Sequence, residues 1–162
     1  MNKKDLSERD ICTKFITPAI VKAGWDKNLQ IREEVSFTAG KVIVRGKLIS
    51  HGKQKRVDYI LYYKNNIPIA VVEAKDNNHS VGAGMQQAIG YAETLDILFV
   101  FTSNGDAFLF HDRTVGLGKK ETELTLDQFP SPKTLWEKYK KFKDIEEPEV
   151  EEAFPQSCLV IL

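Results

Sequence analysis

The chain has 162 residues and is 42% hydrophobic, which suits one globular domain with its own core. Lysine plus arginine and aspartate plus glutamate number 23 each, so net charge excludes nothing about partners, and any surface for a polyanion has to be a local patch. No apolar run approaches the roughly 18 residues of a membrane helix. The only two cysteines, Cys12 and Cys158, lie at opposite ends of a chain without a signal peptide, which predicts free thiols in a cytoplasmic protein away from membranes.

Ser7-Glu8-Arg9-Asp10 has the form of a helix-capping box with Asp as the closing residue. Ile11, Phe15 and Ala19 then recur at helical spacing beside Cys12, Ile16 and Ile20, with Pro18 expected to kink or shorten the helix, Gly24 to end it, and Trp25 to tuck into the core. From Gln30 the period changes to two. Ile31, Glu33 and Val35 predict a short strand, and Lys41 to Ile49 a second. A polar turn over Ser50–Lys55 leads to strands Arg56–Tyr63 and Ile67–Lys75, joined by Lys64-Asn65-Asn66. The near-continuous apolar run from Ile67 to Val72 marks a central strand covered on both faces.

Helical spacing returns over Val81–Thr94, followed by a buried strand over Asp96–Thr102 and a turn at Ser103-Asn104-Gly105-Asp106. Ala107–His111 and Thr122–Leu126 complete the sheet. Ser131-Pro132 opens a last helix, with Leu135, Trp136, Tyr139 and Phe142 facing inward. These elements predict an α/β domain over residues 1–143. An acidic linker and an apolar tail, Cys158 to Leu162, occupy 144–162.

Asp58 is a charged residue inside the apolar strand Val57-Asp58-Tyr59-Ile60-Leu61, a costly placement unless the carboxylate is paired or binds a metal. Glu73 ends a buried strand abruptly, and Lys75, two residues on, leaves from the same face. Two carboxylates on adjacent strands are hard oxygen ligands suited to Mg²⁺, with Mn²⁺ as a substitute, and an ammonium beside them suits an attacking water and developing negative charge. Taken alone, Glu73 and Lys75 also fit an ordinary surface ion pair. Gln87 and Tyr91 are four apart on one helix face and suit contact with a phosphate or base; a surface amide and a half-buried phenol read equally well. Glu8 is a further candidate ligand, or simply a carboxylate favouring a helix N-terminus. Lys41, Arg45, Lys47, Lys53, Lys55 and Arg56 would form a positive face for DNA, or else a charged strand edge that resists aggregation.

Val57-Asp58, then Val72-Glu73-Ala74-Lys75, then Gln87-x-x-x-Tyr91 resembles the PD-(D/E)xK nuclease superfamily, and more narrowly the N-terminal nuclease domain of the R subunit of type I restriction enzymes. Ser7-Glu8-Arg9-Asp10, Gly24-Trp25, the Tyr59 that follows Asp58, Ala92 after Tyr91, and Phe129-Pro130-Ser131-Pro132 with Leu135-Trp136 extend the likeness over residues 5–142. The resemblance implies a restriction-endonuclease-like core, a central mixed β-sheet flanked by helices. It also implies Asp58 and Glu73 as Mg²⁺ ligands, Lys75 as the catalytic lysine, Gln87 and Tyr91 as a helical pair required for cleavage, and Glu8 as an accessory ligand. The implied partners are double-stranded DNA and the methylation and specificity subunits of a restriction complex. Val57 stands where the superfamily's name has Pro. Gly116-Leu117-Gly118-Lys119-Lys120 lacks the spacing and hydroxyl of a phosphate-binding loop, so no ATP site is assigned here and the translocase domains are expected outside this chain. Two rival readings are a catalytically silent docking module of the same complex and a stand-alone repair or resolvase-type nuclease.

Overall fold

The computed structural model describes residues 2–38, 41–43 and 54–145, with only the backbone of 41–43. The expected strand beyond Ile43, most of the Ser50–Lys55 turn and the apolar tail therefore lie outside the described residues.

The capping box forms as expected. Ser7 Oγ accepts from the Asp10 amide at 3.1 Å and the Asp10 carboxylate accepts from the Ser7 amide at 3.3 Å. It starts α1 (Glu8–Ile11), which passes through a π-helical turn (Cys12–Ile16) into α2 (Thr17–Lys22). Pro18 does not end the helix. Its ring has no N–H to give and would strike a carbonyl in a regular α-turn, and the widened turn before it accommodates both, with the Thr17 amide reaching back five residues to the Cys12 carbonyl. Trp25 is buried after Gly24 and donates its indole N–H to the Pro130 carbonyl at 2.9 Å.

Among the described residues seven strands form one mixed sheet in the order β2-β1-β3-β4-β5-β6-β7, where β1 is Ile31–Thr38, β2 Lys41–Ile43, β3 Lys55–Lys64, β4 Ile67–Ala74, β5 Phe99–Ser103, β6 Ala107–Asp112 and β7 Glu121–Thr125. Every pairing is antiparallel except β4 with β5, which run parallel because α3 (Met85–Leu95) crosses over between them. Helices cover both faces. On one, Ile11, Ile16, Ile20, Leu135 and Trp136 from α1, the π turn, α2 and α4 (Pro132–Lys143) pack on Leu61, Ile69, Phe99 and Phe101. On the other, Met85, Ala88, Tyr91 and Ala92 of α3 pack on Val57, Ile60, Val71 and Val100. This is the restriction-endonuclease-like α/β arrangement, and it puts the buried central strands β4 and β5 between two helical layers.

Boundaries and facings differ from the sequence expectation in places: β5 starts at Phe99 rather than Asp96. α3 starts at Met85 rather than Val81, because Gly84 at its cap adopts a left-handed φ of 85° and residues 81–84 turn instead. Phe142 is exposed rather than inward. Asp144 takes a left-handed conformation at the end of α4, the Ile145 amide returns to the Lys140 carbonyl at 2.9 Å, and Ile145 packs on the core in place of Phe142. Phe101, by contrast, touches the rings of Phe108, Phe110 and Phe129. Phe101→Ala should cost roughly 3–5 kcal/mol and Phe142→Ala less than about 0.5 kcal/mol, read from denaturant unfolding midpoints.

Candidate active site

Antiparallel register places Asp58 of β3 directly across from Glu73 of β4, one step past the last paired residues, Tyr59 and Val72. The regular ladder stops there and the carboxylates take over its amides. Glu73 Oε1 accepts from the Asp58 N–H at 2.9 Å, and Asp58 Oδ2 accepts from the Ala74 N–H at 2.7 Å. Each strand thus lends its carboxylate to the other's backbone. Side-chain alternation puts Glu73 with Val71, on the face that α3 covers. Glu73 is buried and Asp58 half-buried.

The electrostatics follow from this crowding. Burial, with the charge of Asp58 added, pushes the Glu73 carboxyl up to about 8, against the pull of the Asp58 amide and Lys75. Burial also raises Asp58, opposed by the Ala74 amide and by the positive charges of Lys75 and Arg56. Two carboxylates this close hold a shared proton or a cation more readily than two negative charges. The donors are all hard oxygens, the chemistry that suits Mg²⁺, which binds through one or two carboxylates and keeps waters. Asp58 and Glu73 fit such an ion. Among the described residues no group of three or more His, Cys, Asp or Glu is set to cage a metal.

Lys75 follows the end of β4, with its amide held by the Ser103 carbonyl at 2.9 Å. Its aliphatic stem lies against Gly84, where an added Cβ would come within 3.1 Å of Lys75 Cε. Sequence reading missed this partner; the glycine-bearing loop before α3 was the signal. Glu8 reaches the site from the opposite helical layer: burial and then the charge of Asp58 raise its carboxyl, and Lys75 lowers it. Tyr91 also senses the pair, since burial and then Glu73 and Asp58 raise its phenol. Its ring stands edge-on to Phe37 at 5.2 Å. Gln87 is exposed one turn earlier on α3.

Two grooves flank the carboxylates. One, of about 190 Å³, is lined by Glu8, Arg9, Cys12, Glu34, Arg56 and Asp58 among others. The other, of about 450 Å³, is lined by Gln54, Lys55, Arg56, Gln87, Gly90 and Tyr91. Arg56 belongs to both. At the rim of the first, Glu34 takes a positive φ of 51° and pairs with Arg9 at 2.9 Å and Arg56 at 3.8 Å. Glu34 falls between the paired residues Glu33 and Val35, and its left-handed backbone is not marked by its sequence pattern. Of the expected positive face, Lys55 and Arg56 are exposed on β3; the side chains of Lys41, Arg45, Lys47 and Lys53 lie outside the described residues.

Residues 29–130 match the family model described as the N terminus of the type I restriction enzyme R protein. The chain belongs to that family. It is 52% identical over 140 residues to the type I restriction enzyme EcoAI endonuclease subunit of Escherichia coli, a match covering 86% of this chain and 17% of that one. A solved fragment structure assigned to an HsdR subunit of a type I restriction enzyme from Vibrio vulnificus superposes with a TM-score of 0.75 at 39% identity, covering 90% of this chain and 28% of the other. The chain therefore spans only a small part of its relatives' length. No helix among the described residues is long and apolar enough to cross a membrane.

The raised Glu73 carboxyl makes stability depend on pH. Without divalent metal, the folded state holds a proton that the unfolded state has released between the ordinary value of 4.5 and about 8, so stability falls as pH rises through that window. Glu73→Gln should flatten this slope and gain most over the wild type above pH 8, as followed by thermal unfolding in EDTA. Adding Mg²⁺ should raise the wild-type Tm more at high pH than at low pH, because the ion competes with the proton.

Proposed function

We propose that this domain is the DNA-cutting centre of a type I restriction–modification system, a Mg²⁺-dependent endonuclease that hydrolyses phosphodiester bonds in duplex DNA. The observation that carries the reading is the buried Asp58–Glu73 pair facing across β3 and β4 with Lys75 two residues beyond. Asp58 and Glu73 would hold Mg²⁺, or Mn²⁺ in its place. When bound, such an ion lowers the pKa of a coordinated water and offsets charge on the scissile phosphate.

The chain's own residues do the rest. Lys75, steadied against Gly84, presents its ammonium beside the two carboxylates, where it orients the attacking water and offsets charge growing on the phosphate oxygens. Glu8, from the other helical layer, acts as an accessory ligand or accepts a hydrogen bond from a water at the centre. Gln87 and Tyr91 contact the phosphate backbone from α3, and Lys55 and Arg56 add sequence-independent, salt-sensitive affinity. Such a domain binds DNA weakly by itself. In this reading the domain works within an assembled cytoplasmic enzyme that has an ATP-driven motor and specificity and methylation subunits; the match itself supplies the family.

Nicking and linearisation of supercoiled plasmid test this reading. With Mg²⁺ or Mn²⁺ the wild type should cut and EDTA should abolish cutting, while Lys75→Ala and Asp58→Ala should each lose a factor of hundreds, about 3–4 kcal/mol of transition-state stabilisation. If the isolated chain is inert, the same variants are compared within the assembled restriction complex. Cleavage indifferent to Lys75→Ala there would overturn the assignment.

A further inference from the structure

We infer that Gly90 is the residue of α3 that lets the sugar–phosphate backbone of DNA approach the helix between Gln87 and Tyr91. The inference rests on the DNA-cutting reading above and deepens it.

Gly90 sits in the middle of α3, where a glycine weakens a helix relative to alanine. No described residue requires it. Its φ lies outside the left-handed region, and a Cβ built on it meets no atom of another described residue's side chain or of the facing elements within 4 Å. Gly82 and Gly84 in the preceding loop are different: a Cβ there would come within 2.9 Å of Leu109 and 3.1 Å of Lys75, so folding itself explains them. A glycine that costs helix stability and fills no tight internal contact leaves one open side, the one facing outward.

What it faces is a groove of about 450 Å³ whose other lining residues, among those described, are Gln54, Lys55, Arg56, Gln87 and Tyr91. All five carry hydrogen-bond donors, two are cations, and none is acidic. That chemistry fits a polyanion and disfavours an acidic protein surface only weakly, but the position decides between them. Arg56 also lines the cleft that contains Asp58, and Tyr91 lies within the field of Glu73 and Asp58. A strand whose phosphates rest on Lys55, Arg56 and Gln87 is therefore led directly to the carboxylate pair. The missing side chain at Gly90 lets the strand settle against the helix between Gln87 and Tyr91 rather than above it, where their shorter reach would not meet it.

The test pairs stability with DNA binding. Gly90→Ala and Gly90→Leu are melted and titrated against a short fluorescein-labelled DNA duplex at low salt, with Ca²⁺ to hold back cutting. Gly90→Ala should raise Tm by about 3 °C while weakening DNA binding by about tenfold, and Gly90→Leu should bind more weakly still. A domain made more stable and yet poorer at binding DNA is the signature of a glycine kept for a ligand. If Gly90→Ala binds DNA as the wild type does, or lowers Tm, the role given to Gly90 is wrong and the nuclease reading stands. If the wild type neither binds the duplex nor cuts plasmid, alone or in the assembled complex, the nuclease reading itself fails.

Discussion

Two carboxylates, each accepting a hydrogen bond from the backbone of the strand opposite, hold the working end of this domain together. Asp58 and Glu73 sit where the β3–β4 ladder would add its next rung, and their oxygens take the amides of Ala74 and Asp58 at 2.7 and 2.9 Å. A buried carboxylate is costly unless its charge is met by donors. Here the donors are main-chain groups that cannot move without opening the sheet. The exchange therefore fixes the spacing of the two acids and leaves them crowded enough to hold a proton that free glutamate would have lost.

The rest of the structure brings other groups to that point without leaving it exposed to the core. Ala74 faces one helical layer while Glu73 faces the other, so a single strand end serves both packing and chemistry. The residues before α1 are tied to the far loops. Lys3 Nζ donates to the Gly105 carbonyl at 2.7 Å and Lys4 Nζ to the Asn77 carbonyl at 2.9 Å. Asn77 in turn donates to the Asn104 carbonyl at 2.9 Å, and Thr102 Oγ1 to the Val81 carbonyl at 2.8 Å. These bonds anchor the helix that carries Glu8 and the loop that follows Lys75 to the same end of the sheet. The site is thus assembled from helix, strand and loop over a frame of buried polar contacts.

Much of this was legible in the residues. The capping box, the two-residue period of β3 and β4 and the apolar run of β4 all reflect local rules, and each appears where those rules place it. Asp58 and Glu73 stood out because a charge inside an apolar strand demands an explanation. Other features were not legible because they depend on what a residue meets. Glu34 has ordinary strand neighbours, and nothing in its sequence pattern marks the positive φ it adopts beside Arg9 and Arg56. Phe142 has the right helical spacing to face inward, but the chain reversal at Asp144 brings Ile145 to the core instead. Pro18 reads as a break until the π-helical turn before it is seen.

The sequence by itself determined the element order, the identity of the acidic pair and lysine, and the family, because periodicity, turn chemistry and motif spacing are written along one chain. Tertiary structure alone decided that Asp58 faces Glu73, that each carboxylate takes an amide of the opposite strand, that Glu8 and Tyr91 approach from opposite layers, and that Gly84 lies along Lys75. The reason is physical: a residue's type and period specify which face it needs, whereas distance, burial and field arise only when strands far apart in sequence are brought into register.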